Sequence, residues 1–150
     1  MTKPQFDLTG KVALVTGGNG GIGLGMANAM AAAGADIAIW GTNPDKNAAA
    51  AEQLGSYGTR VKAYTCNVAD RAEVDAQMAA TLEDFGRIDG CFANAGVSGR
   101  GARSFLEITP DEWRRVMSVN LDGVYHTYQA ALRHMVDRAN AGDPGGRLAC

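Results

Sequence analysis

Thr16-Gly17-Gly18-Asn19-Gly20-Gly21-Ile22-Gly23 places five glycines in the seven residues from 17 to 23. The run follows Lys11-Val12-Ala13-Leu14-Val15-Thr16, a β-branched apolar segment that predicts a buried strand. It leads into residues 21–33, where Ile22, Met26, Met30 and Ala33 are spaced for one face of a helix that Gly34 ends. So many glycines cost chain entropy and need a reason. A strand followed by a glycine loop and a helix N-terminus supplies one. Backbone N–H groups and the helix dipole converge on one spot and favour an anion there, and side chains would only block its approach. Gly18 to Gly23 also fits Gly-x-Gly-x-x-Gly, a weak signal alone and a stronger one in this setting.

Outward from this stretch, short apolar runs alternate with amphipathic ones. Asp36 to Trp40, Arg60 to Cys66 and Ile88 to Ala93 predict three more strands, and Arg147-Leu148-Ala149-Cys150 the start of a fifth. Asn43-Pro44-Asp45 reads as a helix start, with Asn as the cap and Pro in the first turn. Asp70 with Glu73, and Thr109-Pro110 with Glu112, have the spacing of capping boxes. The second of these opens one long helix, with Trp113, Met117, Leu121, Val124, Tyr128, Leu132 and Met135 roughly in phase. Such alternation predicts an α/β fold, a doubly wound parallel sheet (Rossmann fold) of strand order 3-2-1-4-5, cut off at the fifth strand. Residues 1–150 read as one such domain, incomplete at its C-terminus. The ligand crevice is expected beyond the carboxyl ends of strands one and four.

The chain of 150 residues carries a net charge of −2 and no Lys/Arg block, so the footprint of a nucleic-acid binder is missing. No apolar run approaches the roughly 18–20 residues of a membrane span, and Met1 to Asp7 does not lead into a signal-peptide core. Cys66, Cys91 and Cys150 are far apart and read as reduced structural thiols of a cytoplasmic protein. With two histidines and no adjacent cysteines, no metal site is expected.

Three motifs together resemble the short-chain dehydrogenase/reductase family, over about residues 8 to 150. Thr16, Gly17, Gly21 and Gly23 match its Thr-Gly-x-x-x-Gly-x-Gly pattern; Ala93-Asn94-Ala95-Gly96 resembles its Asn-Asn-Ala-Gly segment; Ser118-Val119-Asn120-Leu121 resembles the segment carrying its catalytic asparagine. The resemblance implies an oxidoreductase that transfers a hydride between NAD(P)(H) and an alcohol or carbonyl. It implies that Gly17, Asn19, Gly21, Ile22 and Gly23 line the diphosphate and adenosine ribose, that Asn67 and Val68 flank the adenine, and that Asn94, Ala95 and Gly96 pass the cofactor ribose. Asn120 would interrupt the long helix and hold a water in a proton relay. Taken singly, Asn94 also reads as a strand-end cap, Asn67 as a local turn and Asn120 as a polar residue satisfied within a helix. At the end of the second strand, an acid favours NAD and a nearby Arg NADP. Gly41 and Thr42 are neither; nothing there repels a 2′-phosphate and Thr42 has a hydroxyl to donate, so NADP is favoured and NAD stays open. Gly20, where many NADP-using members carry a basic residue, argues the other way.

The family's chemistry also needs a serine and a Tyr-x-x-x-Lys pair, since a tyrosine titrating near 10 does little at neutral pH without a neighbouring cation. None of Tyr57, Tyr64, Tyr125 and Tyr128 has lysine four residues on. The favoured expectation is therefore the N-terminal part of a longer enzyme, inactive by itself. The alternatives are a non-catalytic dinucleotide sensor and an interaction protein that no longer binds nucleotide. Arg100 and Arg103, in a loop expected near the substrate entrance, read more simply as solvated charges than as contacts for an anionic substrate. The family pairs its long helix between subunits, which implies a homo-oligomer through Met117, Leu121, Tyr125 and Tyr128, positions that core packing explains equally well.

Overall fold

Strand β1 (Val12–Thr16) is buried at every position, which only a central strand covered on both faces can be. It pairs in parallel with β2 (Asp36–Gly41) on one side and β4 (Gly90–Ala93) on the other. β3 (Val61–Thr65) lies outside β2 and β5 (Arg147–Ala149) outside β4, giving the predicted order β3-β2-β1-β4-β5. This computed structural model describes residues 6–101 and 104–150; Arg103 lies outside the described residues.

The pleat sorts β1 into two cores. Val12 and Leu14 join Trp40, Met78 and Ala131 on the face covered by α3 (Arg71–Phe85) and α5 (Gly123–Asn140). Ala13 and Val15 join Ile37, Ile39 and Leu54 on the face covered by α1 (Gly21–Ala32) and α2 (Pro44–Gly55). Each fully buried Leu, Ile or Val contributes about 1.5–3 kcal/mol. The Trp40 indole N–H, wholly buried, donates to the Thr81 hydroxyl at 3.1 Å, so the largest core side chain leaves no polar atom unpaired.

Two helices depart in part from the sequence expectation. The residues α1 buries fully are Gly23, Ala27 and Ala31; Met26 and Met30 pack partly buried against the core as expected, but Ile22 is 78% exposed. The smallest residues, not the largest, let α1 lie close on the sheet. The long helix predicted from Thr109 is two helices, α4 (Pro110–Met117) and α5, joined by a π segment at Ser118–Asp122. The altered backbone pairing of a π turn rotates every residue on its C-terminal side. Leu121 and Leu132 face outward and Gly123, Thr127, Ala130 and Ala131 are buried, while Met135 is buried and Tyr128 packs against the core as expected.

All three cysteines are free: Cys66 and Cys91 buried, Cys150 exposed. Burial pushes both inner thiols up to about 12, with Glu73 and Asp70 adding to the shift at Cys66. A native chain titrated with a thiol reagent at neutral pH is expected to react rapidly at Cys150 alone, and at all three sites once unfolded.

Candidate functional site

The winding direction changes between β1 and β4, so the chain leaves their carboxyl ends toward opposite sides and a crevice opens there. Several bonds hold its floor. The Ala95 N–H donates to the Thr16 hydroxyl at 3.0 Å, and the Asn94 amide donates to the Thr16 carbonyl at 3.1 Å and the Gly17 carbonyl at 3.5 Å. The Gly17 N–H donates to the Trp40 carbonyl at 2.7 Å. Gly17 has φ +65°, and a Cβ there would stand 3.0 Å from the Ala95 Cα and 3.1 Å from the Asn94 amide nitrogen. A Cβ at Gly23 would overlap the Gly17 carbonyl. At the N-cap of α1, Gly20 offers no side-chain acceptor and no acid stands in the first turn. A bare helix N-terminus under a cradle that side chains would fill suits a diphosphate.

Beside this floor lies a cleft of about 200 Å³. It brings together seven of the residues singled out from sequence: Gly17, Asn19, Thr42, Asn67, Val68, Ala95 and Gly96. Gly41, weighed from the sequence for cofactor choice, lines it too; Trp40, Cys66, Val97 and Val119 also line it and were missed, three of them apolar residues that carry no chemical signature in a sequence. The remaining candidates stand apart from the cleft. Gly21 and Ile22 are exposed at the start of α1, and Gly23 and Asn94 pack beneath the loop.

Asn120 lies in the π segment. Its amide oxygen accepts from the Val97 N–H at 2.8 Å and its NH₂ donates to the Val97 carbonyl at 3.0 Å, and this pair of bonds fixes the loop after β4. Asn67 closes a local turn, its amide oxygen accepting from the Ala69 N–H at 3.1 Å. Asp70 caps α3 as predicted, but Glu73 reaches past it to the Asn67 N–H at 2.7 Å and so shapes the cleft wall.

Thr109 caps α4, yet Glu112 does not complete the capping box. It binds Arg115 at 2.8 Å through both oxygens and the Arg100 N–H at 2.5 Å. A charge-assisted fork outcompetes a neutral backbone N–H. Those bonds hold the Glu112 carboxyl down at about 2. Because Arg115 also donates to the Ser98 carbonyl at 2.8 Å, the loop after Val97 is fastened to α4. Arg100 holds its place through its backbone, with its side chain exposed.

A sequence model of the family described as short chain dehydrogenase matches residues 11–143. Sorbose reductase of Candida albicans is 42% identical over 121 residues, 81% of this chain and 43% of that protein. The "Probable NADP-dependent mannitol dehydrogenase" of Yarrowia lipolytica is 38% identical over 122 residues, 81% of this chain and 44% of its own length. Among solved structures, NAD⁺-bound xylitol dehydrogenase superposes with a TM-score of 0.87 at 32% identity, covering 94% of this chain and 52% of that one. The chain thus spans about half the length of the proteins it matches.

Proposed function

This chain belongs to the short-chain dehydrogenase family, and from that premise we propose that it is the dinucleotide-binding part of an oxidoreductase acting on a small alcohol or carbonyl. The observation that carries this reading is the steric one: Gly23 has no room for a side chain, Gly17 takes a left-handed backbone in which one would be crowded, and both border an uncapped helix N-terminus. A bound nicotinamide dinucleotide supplies hydride exchange with the substrate. In this reading the loop from Gly17 to Gly23 holds the diphosphate, Asn67 and Val68 the adenine, and Ala95 and Gly96 the ribose, with Asn94 bracing the two strand ends beneath. Asn120 is the relay residue, set in the π segment and steadied there by its two amide bonds to Val97. The sugar-alcohol and ketose chemistry named for the relatives points to a polyol–ketose pair as substrate.

NADP is the proposed cofactor, with NAD the alternative. Thr42 lines the cleft beside Gly41, and among the described residues no carboxylate lines it. The outward-facing Leu121, Tyr125, Leu132 and Val136 support the proposal of a homo-oligomer. Purified 1–150 is expected to bind NADPH or NADH, read by quenching of Trp40 or by calorimetry, and to turn over neither, because it lacks a Tyr-x-x-x-Lys pair. Sustained cofactor-dependent turnover would contradict the assignment of catalysis to residues beyond these. A folded chain that bound neither dinucleotide would overturn the cofactor reading itself.

A further inference from the structure

The end of β2 is built differently from a site that reads a ribose hydroxyl with an acid. Asn47, on α2, is 3% exposed. Its NH₂ donates to the Gly41 carbonyl at 2.9 Å and the Tyr64 carbonyl at 3.1 Å, tying α2 to the ends of β2 and β3. Its oxygen accepts from the Asn19 amide at 2.7 Å. The pair fills the room a side chain at position 41 would need: a Cβ on Gly41 would overlap the Asn19 amide and stand 2.5 Å from the Asn47 oxygen. Two neutral amides therefore occupy the place of a fixed negative charge.

Asn19 lines the 200 Å³ cleft and also a neighbouring groove of about 320 Å³ between α1 and α2. Lys46 lines that groove, and among the described residues it is the one charged residue lining either space. It stands exposed in the first turn of α2 and holds no ion pair among the described residues. Asp45, beside it in sequence, lines neither space. Gly20, which also lines the groove, has no side chain to separate Lys46 from Asn19.

We infer that Lys46, with the Asn19–Asn47 amide pair, forms a subsite for the 2′-phosphate of the cofactor. Lys46 supplies the cation that is missing from position 20, from the opposite wall of the groove. Asn47 is a positioning residue that holds the Asn19 amide at the same corner. The inference rests on the proposed cofactor site, and the test separates the two.

The 150-residue chain is titrated with NADPH and with NADH, in the wild-type, Lys46→Gln and Lys46→Arg forms. The substituted position is exposed, so folding is not at stake. Removing a charged donor to a phosphate is expected to weaken NADPH about tenfold, the scale of one charge-assisted hydrogen bond. NADH affinity is expected to stay within about twofold, since that ligand presents no phosphate at the corner. K46R is expected to recover most of the NADPH affinity. Added salt should narrow the NADPH advantage of the wild type and leave K46Q unmoved. If wild-type chain binds NADH while K46Q leaves the ratio of the two affinities unchanged, or weakens both equally, the subsite is overturned and the cofactor site stands. If wild-type chain binds neither, both fall.

Discussion

Gly23→Ala is expected to weaken dinucleotide binding by at least about 100-fold in a chain that still folds. The added Cβ would overlap the Gly17 carbonyl oxygen and stand 2.5 Å from the Asn94 amide nitrogen and 2.9 Å from the Gly17 carbonyl carbon. Two of these atoms are backbone, and the third ends a side chain already tied down. Gly17 is fixed by its left-handed backbone and its bond to Trp40, and Asn94 by its bond to Thr16. The glycine loop must therefore lift from α1. Overpacking of this kind costs about 1–3 kcal/mol, and the better helix propensity of alanine returns up to about 1 kcal/mol. The net loss of stability is modest. Binding suffers more, because N–H groups aimed at one anion are displaced together. Losing two charged hydrogen bonds at about 1.5 kcal/mol each accounts for about two orders of magnitude in Kd.

Gly25→Ala is the matched control. Gly25 lies two residues on in the same helix, exposed, with nothing within 4 Å of its would-be Cβ. It should raise stability by about 0.5–1 kcal/mol and leave affinity unchanged. Fluorescence titration and thermal melting of both variants separate the loop geometry from helix propensity. Wild-type affinity in G23A would remove the physical basis of the site.

The glycine loop was legible because its cause is local: a backbone that must pass close to something excludes side chains wherever the rest of the chain goes. Strand order followed from alternation and handedness, which are likewise properties of the chain's order. Helix phase was not legible in the same way. Periodicity weighs a residue by its hydrophobicity, and so favoured Ile22 over Gly23 and Ala27; the packed helix selects for closeness to the sheet. In α5 the shift came from geometry, a π segment between Met117 and Gly123; the interruption at Asn120 was expected from the family resemblance, while periodicity alone ran straight through it. The Asn19–Asn47 pair joins positions 28 apart in sequence, and each amide read alone is an ordinary loop or helix polar group. Glu73 and Glu112 have the spacing for capping boxes, but other donors, an Asn67 N–H and the Arg115 guanidinium, come within their reach in the fold. Local spacing names the residues that can bond; tertiary placement decides the partner.

At the opposite end of the sheet, Asp89→Ala is expected to destabilise the chain by about 3 kcal/mol, the lower end of the range for breaking a buried charged pair. Asp89 has a side chain 14% exposed and stands at the entry to β4. One oxygen accepts from the Val12 N–H at 3.0 Å and Arg87 at 2.9 Å, the other from Arg87 at 2.6 Å and Arg138 at 3.4 Å. One carboxylate thus joins the start of β1, the approach to β4 and the end of α5. Without it the Val12 N–H loses its acceptor and two guanidiniums share only Asp143, at 3.4 and 3.0 Å. Burial pushes the Asp89 carboxyl up, but the Arg87 hydrogen bonds, the Val12 N–H and the two arginine charges outweigh it and hold it below the usual carboxylate value. A folded-state value below the unfolded one gives stability that is present above the ordinary carboxylate range and is lost as pH falls through the folded value. Urea denaturation should therefore show the full wild-type advantage at about pH 7 and a shrinking one below about pH 4, where the carboxylate of the unfolded chain begins to protonate. Asp89→Asn, which keeps an acceptor for Val12 but not the charge, should fall between the two. A D89N chain as stable as wild type would assign the joint to the hydrogen bond alone, whereas equal losses in D89A and D89N would assign it to charge. A gap between wild type and D89A that stayed constant across the whole pH range would show that ionisation of this carboxylate contributes nothing, and that its shape alone holds the three elements together.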